Sequence, residues 1–142
     1  MLSPSKKHIN NSYLIRLALL IGIGLILFMF ESLIPRPLPW VKPGLAHVAT
    51  LIALFTLGNA AALIVVIGRV LIGSLLLGTL LNPTFLLSIS GGLCATFIMI
   101  FLKKNFPKTF SIFGISISGA VIHNLTQLLI VELLIVQKAE IF

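Results

Sequence analysis

Acidic residues are nearly absent from this sequence, and their absence limits its chemistry. The 142 residues include no aspartate, and the only acids, Glu31, Glu132 and Glu140, lie far apart. A pair of catalytic carboxylates, or an acidic site for magnesium and a diphosphate, therefore cannot be assembled from this chain alone. The sequence also lacks the glycine-rich phosphate loop that ends in Gly-Lys-Ser or Gly-Lys-Thr, so we do not expect it to hydrolyse ATP.

Cysteine and metal-ligand patterns are equally sparse. Cys94 is the single cysteine and lies in an apolar run, which excludes a disulfide framework within the chain and a thiolate metal site. The three histidines, His8, His47 and His123, do not have the spacing of metal ligands. We therefore expect no catalytic residues, no metal and no cofactor, and a protein that is not an enzyme.

Apolar residues are what the sequence has in abundance. Hydrophobic residues make up 58% of the chain and charged residues 9%, whereas soluble domains carry about 25% charged residues. The apolar runs are continuous rather than alternating, which predicts an all-α membrane protein, not a β-barrel. We predict a disordered cytoplasmic tail over residues 1–12 and a single transmembrane helical domain over residues 13–142. Its predicted spans, about five, are residues 13–33, 44–57, 60–81, 85–102 and 110–136.

The basic residues lie mainly at the ends of these spans, six on the side of the N-terminus and three on the other. The first group is Lys6, Lys7, Arg16, Lys103, Lys104 and Lys108, and the second is Arg36, Lys42 and Lys138. The positive-inside rule therefore predicts a multi-pass protein of the cell membrane with a cytoplasmic N-terminus. The net charge of +7 forms no stripe with interleaved aromatic residues, so we expect the lipid bilayer, not nucleic acid, as its surroundings.

Residues 34–43, which we call the lid, join the first two predicted spans. Prolines at positions 35, 37, 39 and 43 forbid a continuous helix, so we predict a stiff, extended connector. The second span is only about 21 Å long, too short to cross unaided, so its outer end needs a cover. Glu31 is about 10 Å too shallow to reach Arg69, so we expect it to act at this gate. The predicted gate residues are Glu31, Pro35, Arg36 and Trp40.

Polar side chains on several spans are predicted to gather in the outer half of the bundle, beneath the lid. Polar groups in a membrane are costly unless they are paired or face a cavity, so this set is a candidate substrate pocket. It consists of His47, Arg69, Ser90, His123, Asn124 and Gln127. The alternative, left open here, is structural: Arg69 bonding to carbonyls, and His123 and Asn124 forming hydrogen bonds between helices.

The first span also carries a stripe of small residues. Ala18 and Gly22 are four apart and share one helix face, where another helix can approach closely. That helix can belong to the same chain, or the stripe can be a docking surface for another membrane subunit.

A spaced set of residues resembles the Gx transporter family, also called heptaprenyl diphosphate synthase component I, over about residues 14–136. The matching residues are Glu31, Ile34, Pro35, Gly44, Leu45, Ala46, Arg69, Gly73, Gly78, Ser90, Gly91, Gly92, Met99, Gly114, Ile115, Ser116, Gly119, Ala120, His123, Asn124 and Gln127. Position 47 departs from this pattern, because it is His where the resemblance implies Asn.

This family is similar in turn to the substrate-capture (S) components of energy-coupling factor importers. The resemblance implies a helical membrane protein, usually of six spans, that binds a vitamin-like or prenyl- or quinone-like molecule in an outward-facing pocket. The last helix is then expected to be missing from this chain. It also implies a transmembrane coupling subunit, which would contact Ala18 and Gly22, and two ATPases. The family's second name implies the alternative function, a non-catalytic membrane accessory component of a heptaprenyl diphosphate synthase.

Overall fold

The described residues fold into helices, with no strand among them. In this computed structural model, residues 10–35 and 44–136 are described, with side chains as far as residue 134. The helices are α1 (Asn11–Leu33), α2 (His47–Thr56), α3 (Asn59–Leu76), α4 (Pro83–Asn105) and α5 (Ile112–Val131), and a π-helical turn (Glu132–Val136) extends α5. The prediction of an all-α bundle with about five membrane helices is confirmed.

Glycine and proline set several of the helix boundaries. Ile34 is extended ahead of Pro35, and α1 ends there because a residue before proline disfavours the helical conformation. Gly58 separates α2 from α3 with φ 103°, a value that favours glycine. Pro83 occupies the first turn of α4, where its missing N–H costs nothing.

Four helices, α1, α3, α4 and α5 with its extension, are long and apolar enough to cross a membrane. The helix α2 has only ten residues, and six of them, including His47 and Thr50, are buried. Within the described chain, α2 contacts each of the other four helices, whereas α1 contacts α2 and α3 but neither α4 nor α5. One face of the short second helix therefore packs against the long helices, whereas Val48, Ile52 and Phe55 on its other face are exposed.

The observed boundaries differ from the predicted spans by a few residues. The helix α1 begins at Asn11, inside the predicted tail, and α2 begins three residues later than residue 44 because residues 44–46 form a turn. The helix α3 ends at Leu76, not residue 81, since Gly78 adopts φ 66° and terminates it. The helix α4 is longer than predicted at both ends, and α5 begins at Ile112 after the Ser111 cap.

The bundle has an apolar exterior, and its interior contains a set of polar side chains among apolar ones. Large apolar side chains such as Leu19, Ile26 and Phe97 are more than half exposed, as expected for surfaces that face lipid. The buried polar residues are Glu31, His47, Thr50, Arg69, Ser74, Ser88, Thr96, His123 and Gln127. Long apolar helices with an exposed apolar exterior are those of a multi-pass membrane protein.

The ends of α4 allow the predicted orientation to be tested. With Cys94 replaced by serine, a cysteine at Asn82 should react with a membrane-impermeant maleimide added outside cells, because this turn precedes α4. A cysteine at Lys108, beyond the other end of α4, should react only after permeabilisation. The reverse labelling pattern would mean that the N-terminus is not cytoplasmic.

Close packing at Gly91 provides a second test. A Cβ at this position would lie 2.7 Å from His123 Nδ1 and 3.1 Å from the His123 backbone oxygen. We expect Gly91→Ala to destabilise the protein by about 1–3 kcal/mol, measured as thermal unfolding in detergent. The matched control is Gly22→Ala, because a Cβ there meets nothing within 4 Å. Equal stability of the two variants would contradict the tight contact between α4 and α5.

Candidate functional site

Arg69 lies at the centre of the buried polar residues. Its side chain is 3% exposed, and its Nη2 is 3.4 Å from His47 Nδ1 at the start of α2. A guanidinium can only donate hydrogen bonds, so His47 Nδ1 is the acceptor and we assign the ring hydrogen to Nε2. This hydrogen bond from the charged guanidinium links α3 to the start of α2.

His123 extends this contact to α5. The rings of His47 and His123 meet edge to face, with centroids 4.5 Å apart and an interplanar angle of 71°. On its other side His123 packs against Gly91 of α4, and the Cβ position of the neighbouring Gly92 lies 3.8 Å from Arg69 Nη2. The absence of side chains at these two glycines leaves room for the imidazole and the guanidinium.

Glu31 of α1 completes the group, in a position that differs from our expectation. Its carboxyl is buried, with 2% exposure, accepts the backbone N–H of Ala46 at 3.2 Å, and interacts electrostatically with Arg69. The depth estimate compared backbone levels only and neglected side-chain length. Side chains of a helix also lean toward its N-terminus, which here directs Glu31 into the bundle. We call Glu31, His47, Arg69 and His123 the polar centre.

Several buried polar atoms around the polar centre have no hydrogen-bond partner among the described residues. They are Arg69 Nε, Thr50 Oγ1, Ser74 Oγ, Asn124 Oδ1 and Gln127 Oε1. The Gln127 side chain is anchored at its other end, because Nε2 donates to the Leu87 carbonyl oxygen at 3.4 Å. Buried polar atoms are normally satisfied, so this set offers both donors and acceptors to a polar ligand.

The predicted pocket residues divide into two groups. His47, Arg69, His123 and Gln127 are buried, and Asn124 is half-buried with a buried Oδ1. Ser90 does not join them, because its hydroxyl donates to the Leu86 carbonyl oxygen of its own helix. Ser88 is the buried serine instead, on the face of α4 that carries Gly91, Gly92 and Ala95.

Helical spacing could have identified two residues that the predicted set omitted. Thr50 follows His47 by three positions and Ser88 precedes Gly91 by three, so each lies on the buried face of its helix. Ser90 lies off that face by the same count. Ser74, five positions after Arg69, gives no such signal.

Of the predicted gate residues, Glu31 is buried and Pro35 is exposed, and Arg36 and Trp40 lie outside the described residues. At the predicted docking stripe, Ala18 is exposed and a Cβ at Gly22 would meet no other atom within 4 Å. Both residues line an apolar surface groove of about 450 Å³ on α1. The stripe therefore does not pack against another described helix of this chain.

The side chains of the polar centre offer hydrogen-bond donors and acceptors, and no group of metal ligands. Within residues 10–35 and 44–136, no three His, Cys, Asp or Glu side chains come together in a way that could hold a metal ion. The N–H groups of the guanidinium and the imidazoles are donors that suit an anionic or carbonyl-bearing group, whereas the free amide oxygen of Gln127 is an acceptor that suits a hydroxyl or an N–H.

The electrostatic link between Glu31 and Arg69 can be tested by a double-mutant cycle. Arg69→Met leaves the buried Glu31 carboxyl without its cation, so we expect a loss of about 3–5 kcal/mol in stability. Adding Glu31→Gln should recover part of that loss, because no uncompensated charge remains. Thermal unfolding of the two single variants and the double variant in detergent measures the coupling, and strictly additive effects would contradict it.

Comparison with known proteins identifies one relationship. No curated protein and no solved structure matches this chain. A family model described as heptaprenyl diphosphate synthase component I matches residues 20–142, which includes every residue of the polar centre. The chain belongs to the heptaprenyl diphosphate synthase component I family.

Proposed function

We propose that this chain is the non-catalytic membrane component of a heptaprenyl diphosphate synthase. The match of residues 20–142 to the component I family carries the proposal. The composition supports the non-catalytic part, because a site for magnesium and a diphosphate needs carboxylates and the chain has no aspartate. A partner subunit rich in aspartate then performs the synthesis, and this chain holds the assembly at the cell membrane.

The polar centre is the proposed site for a small molecule within this assembly. Arg69 donates hydrogen bonds to an anionic or carbonyl-bearing group of the ligand. The unpartnered oxygens of Asn124 and Gln127 accept from a hydroxyl or N–H elsewhere on the same molecule. Buried apolar residues nearby, such as Val66 and Val70 of α3, suit a ring or a prenyl chain. Residues 34–43 form the gate to this site.

A second candidate function is the substrate-capture subunit of an energy-coupling factor importer. The exposed groove at Ala18 and Gly22 favours it, because a low, apolar helix face suits the close approach of a transmembrane coupling subunit. In this function the polar centre captures a vitamin-like molecule from outside, and the coupling subunit works with two ATPases. In both candidate functions this chain is a binding subunit, and the two functions differ in the proteins that it partners.

Purification from native membranes in mild detergent distinguishes these candidates. We expect a soluble synthase subunit to co-purify, because component I is expected to have a catalytic partner. The purified complex should then synthesise a prenyl diphosphate. Recovery of a membrane coupling subunit with ATPases would favour the importer instead. Mass spectrometry of retained small molecules tests the site, and an Arg69→Lys variant that retains them as well as the wild type would count against it.

The role of the α1 groove as a docking surface can be tested in the same membrane preparation. A Cβ at Gly22 meets no atom within 4 Å, so Gly22→Phe can fill the groove without displacing another described helix. We expect this variant to keep its fold and to recover at least tenfold less of a transmembrane partner. Cys94→Phe is the matched control, because Cys94 is also exposed on a membrane helix but lies on α4, away from the groove. Equal partner recovery with both variants would exclude the groove as a docking surface.

A further inference from the structure

An open cavity lies at the opposite end of the bundle from the polar centre. It has a volume of about 590 Å³ and opens where α2 ends, α4 ends and α5 begins. Its walls are mainly apolar and aromatic, with one cationic side chain. The lining includes Phe55, Lys103, Pro107, Phe110, Phe113 and Ile115.

Lys103 is held in a fixed position at this cavity. Its Nζ donates to the Leu54 carbonyl oxygen near the end of α2 at 2.6 Å and lies 4.9 Å from the centroid of the Phe55 ring. These contacts fix the ammonium beside the aromatic wall. An ammonium carries three N–H groups, so two remain for a ligand.

The charge at this end of the bundle has no acidic counterpart in the described chain. Lys104 and Lys108 are exposed, and both are close to Lys103 in the sequence. The two described acids lie at the other end, Glu31 beside the start of α2 and Glu132 at the end of α5. The positive-inside rule predicts that this end faces the cytoplasm, where the membrane leaflet carries anionic lipid.

We propose that this cavity binds an anionic phospholipid of that leaflet, with the lipid phosphate on Lys103 and an acyl chain against Phe110 and Phe113. The position supports this ligand, because Phe113 is 80% exposed on the surface that faces lipid. An inorganic anion alone would gain nothing from the aromatic wall. This proposal does not depend on the function proposed for the polar centre.

Photo-crosslinking in lipid vesicles tests the proposal. The full chain is reconstituted with a phosphatidylglycerol probe that carries a diazirine in its acyl chain, or with a phosphatidylcholine probe of the same chain length. We expect the anionic probe to label the peptide containing Phe110 and Phe113 about fivefold more than the neutral probe, as one lysine contact provides. Equal labelling by both probes, or labelling spread evenly over the lipid-facing residues of α1, would overturn the site.

Two neighbouring lysines give matched variants. We expect Lys103→Gln to reduce the labelling by the anionic probe about fivefold, and Lys103→Arg to restore it. Lys104→Gln removes the same charge from a residue that does not line the cavity, so labelling should change less than about twofold. Equal losses in Lys103→Gln and Lys104→Gln would mean that only general surface charge attracts the lipid.

Unlabelled competitors identify the source of the phosphate and remain informative if Lys103→Gln does not fold. Excess phosphatidylglycerol should displace the probe from the wild-type chain. Displacement by a prenyl diphosphate but not by phosphatidylglycerol would overturn the lipid assignment.

Discussion

The guanidinium of Arg69 is the constraint on which the rest of the bundle depends. A charge in the middle of a membrane helix costs several kcal/mol unless other groups stabilise it. Here α2 supplies an imidazole acceptor, α1 supplies a buried carboxyl and α4 supplies glycines that leave room. Three helices therefore contribute to the surroundings of one side chain, and the first residue of α2 contacts it directly.

Small residues make this packing possible. A Cβ at Gly24 would lie 3.0 Å from Arg69 Cδ, and one at Gly92 would lie 2.8 Å from Val66 Cγ2. Larger residues would separate the helices and admit lipid to the charged groups. Without a hydrophobic driving force between helices in a membrane, close packing and polar contacts must hold them together. In this protein, close packing and polar contacts occur at the same positions.

The sequence predicts the helices well because continuous apolar runs interrupted by glycine and proline leave few alternatives. It also predicts that His123 and Gln127 share a buried face, since they are four residues apart. Polarity and depth do not distinguish Ser88 from Ser90, whereas the helix face does, and Ser88 lies on the buried face of α4. The expected distance between Glu31 and Arg69 was too long because rise along a helix gives only the level of a backbone atom. It does not show how far two long side chains reach toward each other.

Glu31 connects the end of α1 with the start of α2 and with Arg69. Its carboxyl accepts the N–H of Ala46, one residue before α2, and its negative charge attracts the guanidinium on α3. One carboxylate therefore links three helices, although the two links differ in kind. The hydrogen bond to the neutral N–H of Ala46 does not require the guanidinium, whereas the burial of the charged carboxylate does. Loss of Arg69 would therefore destabilise Glu31 itself before it altered the start of α2.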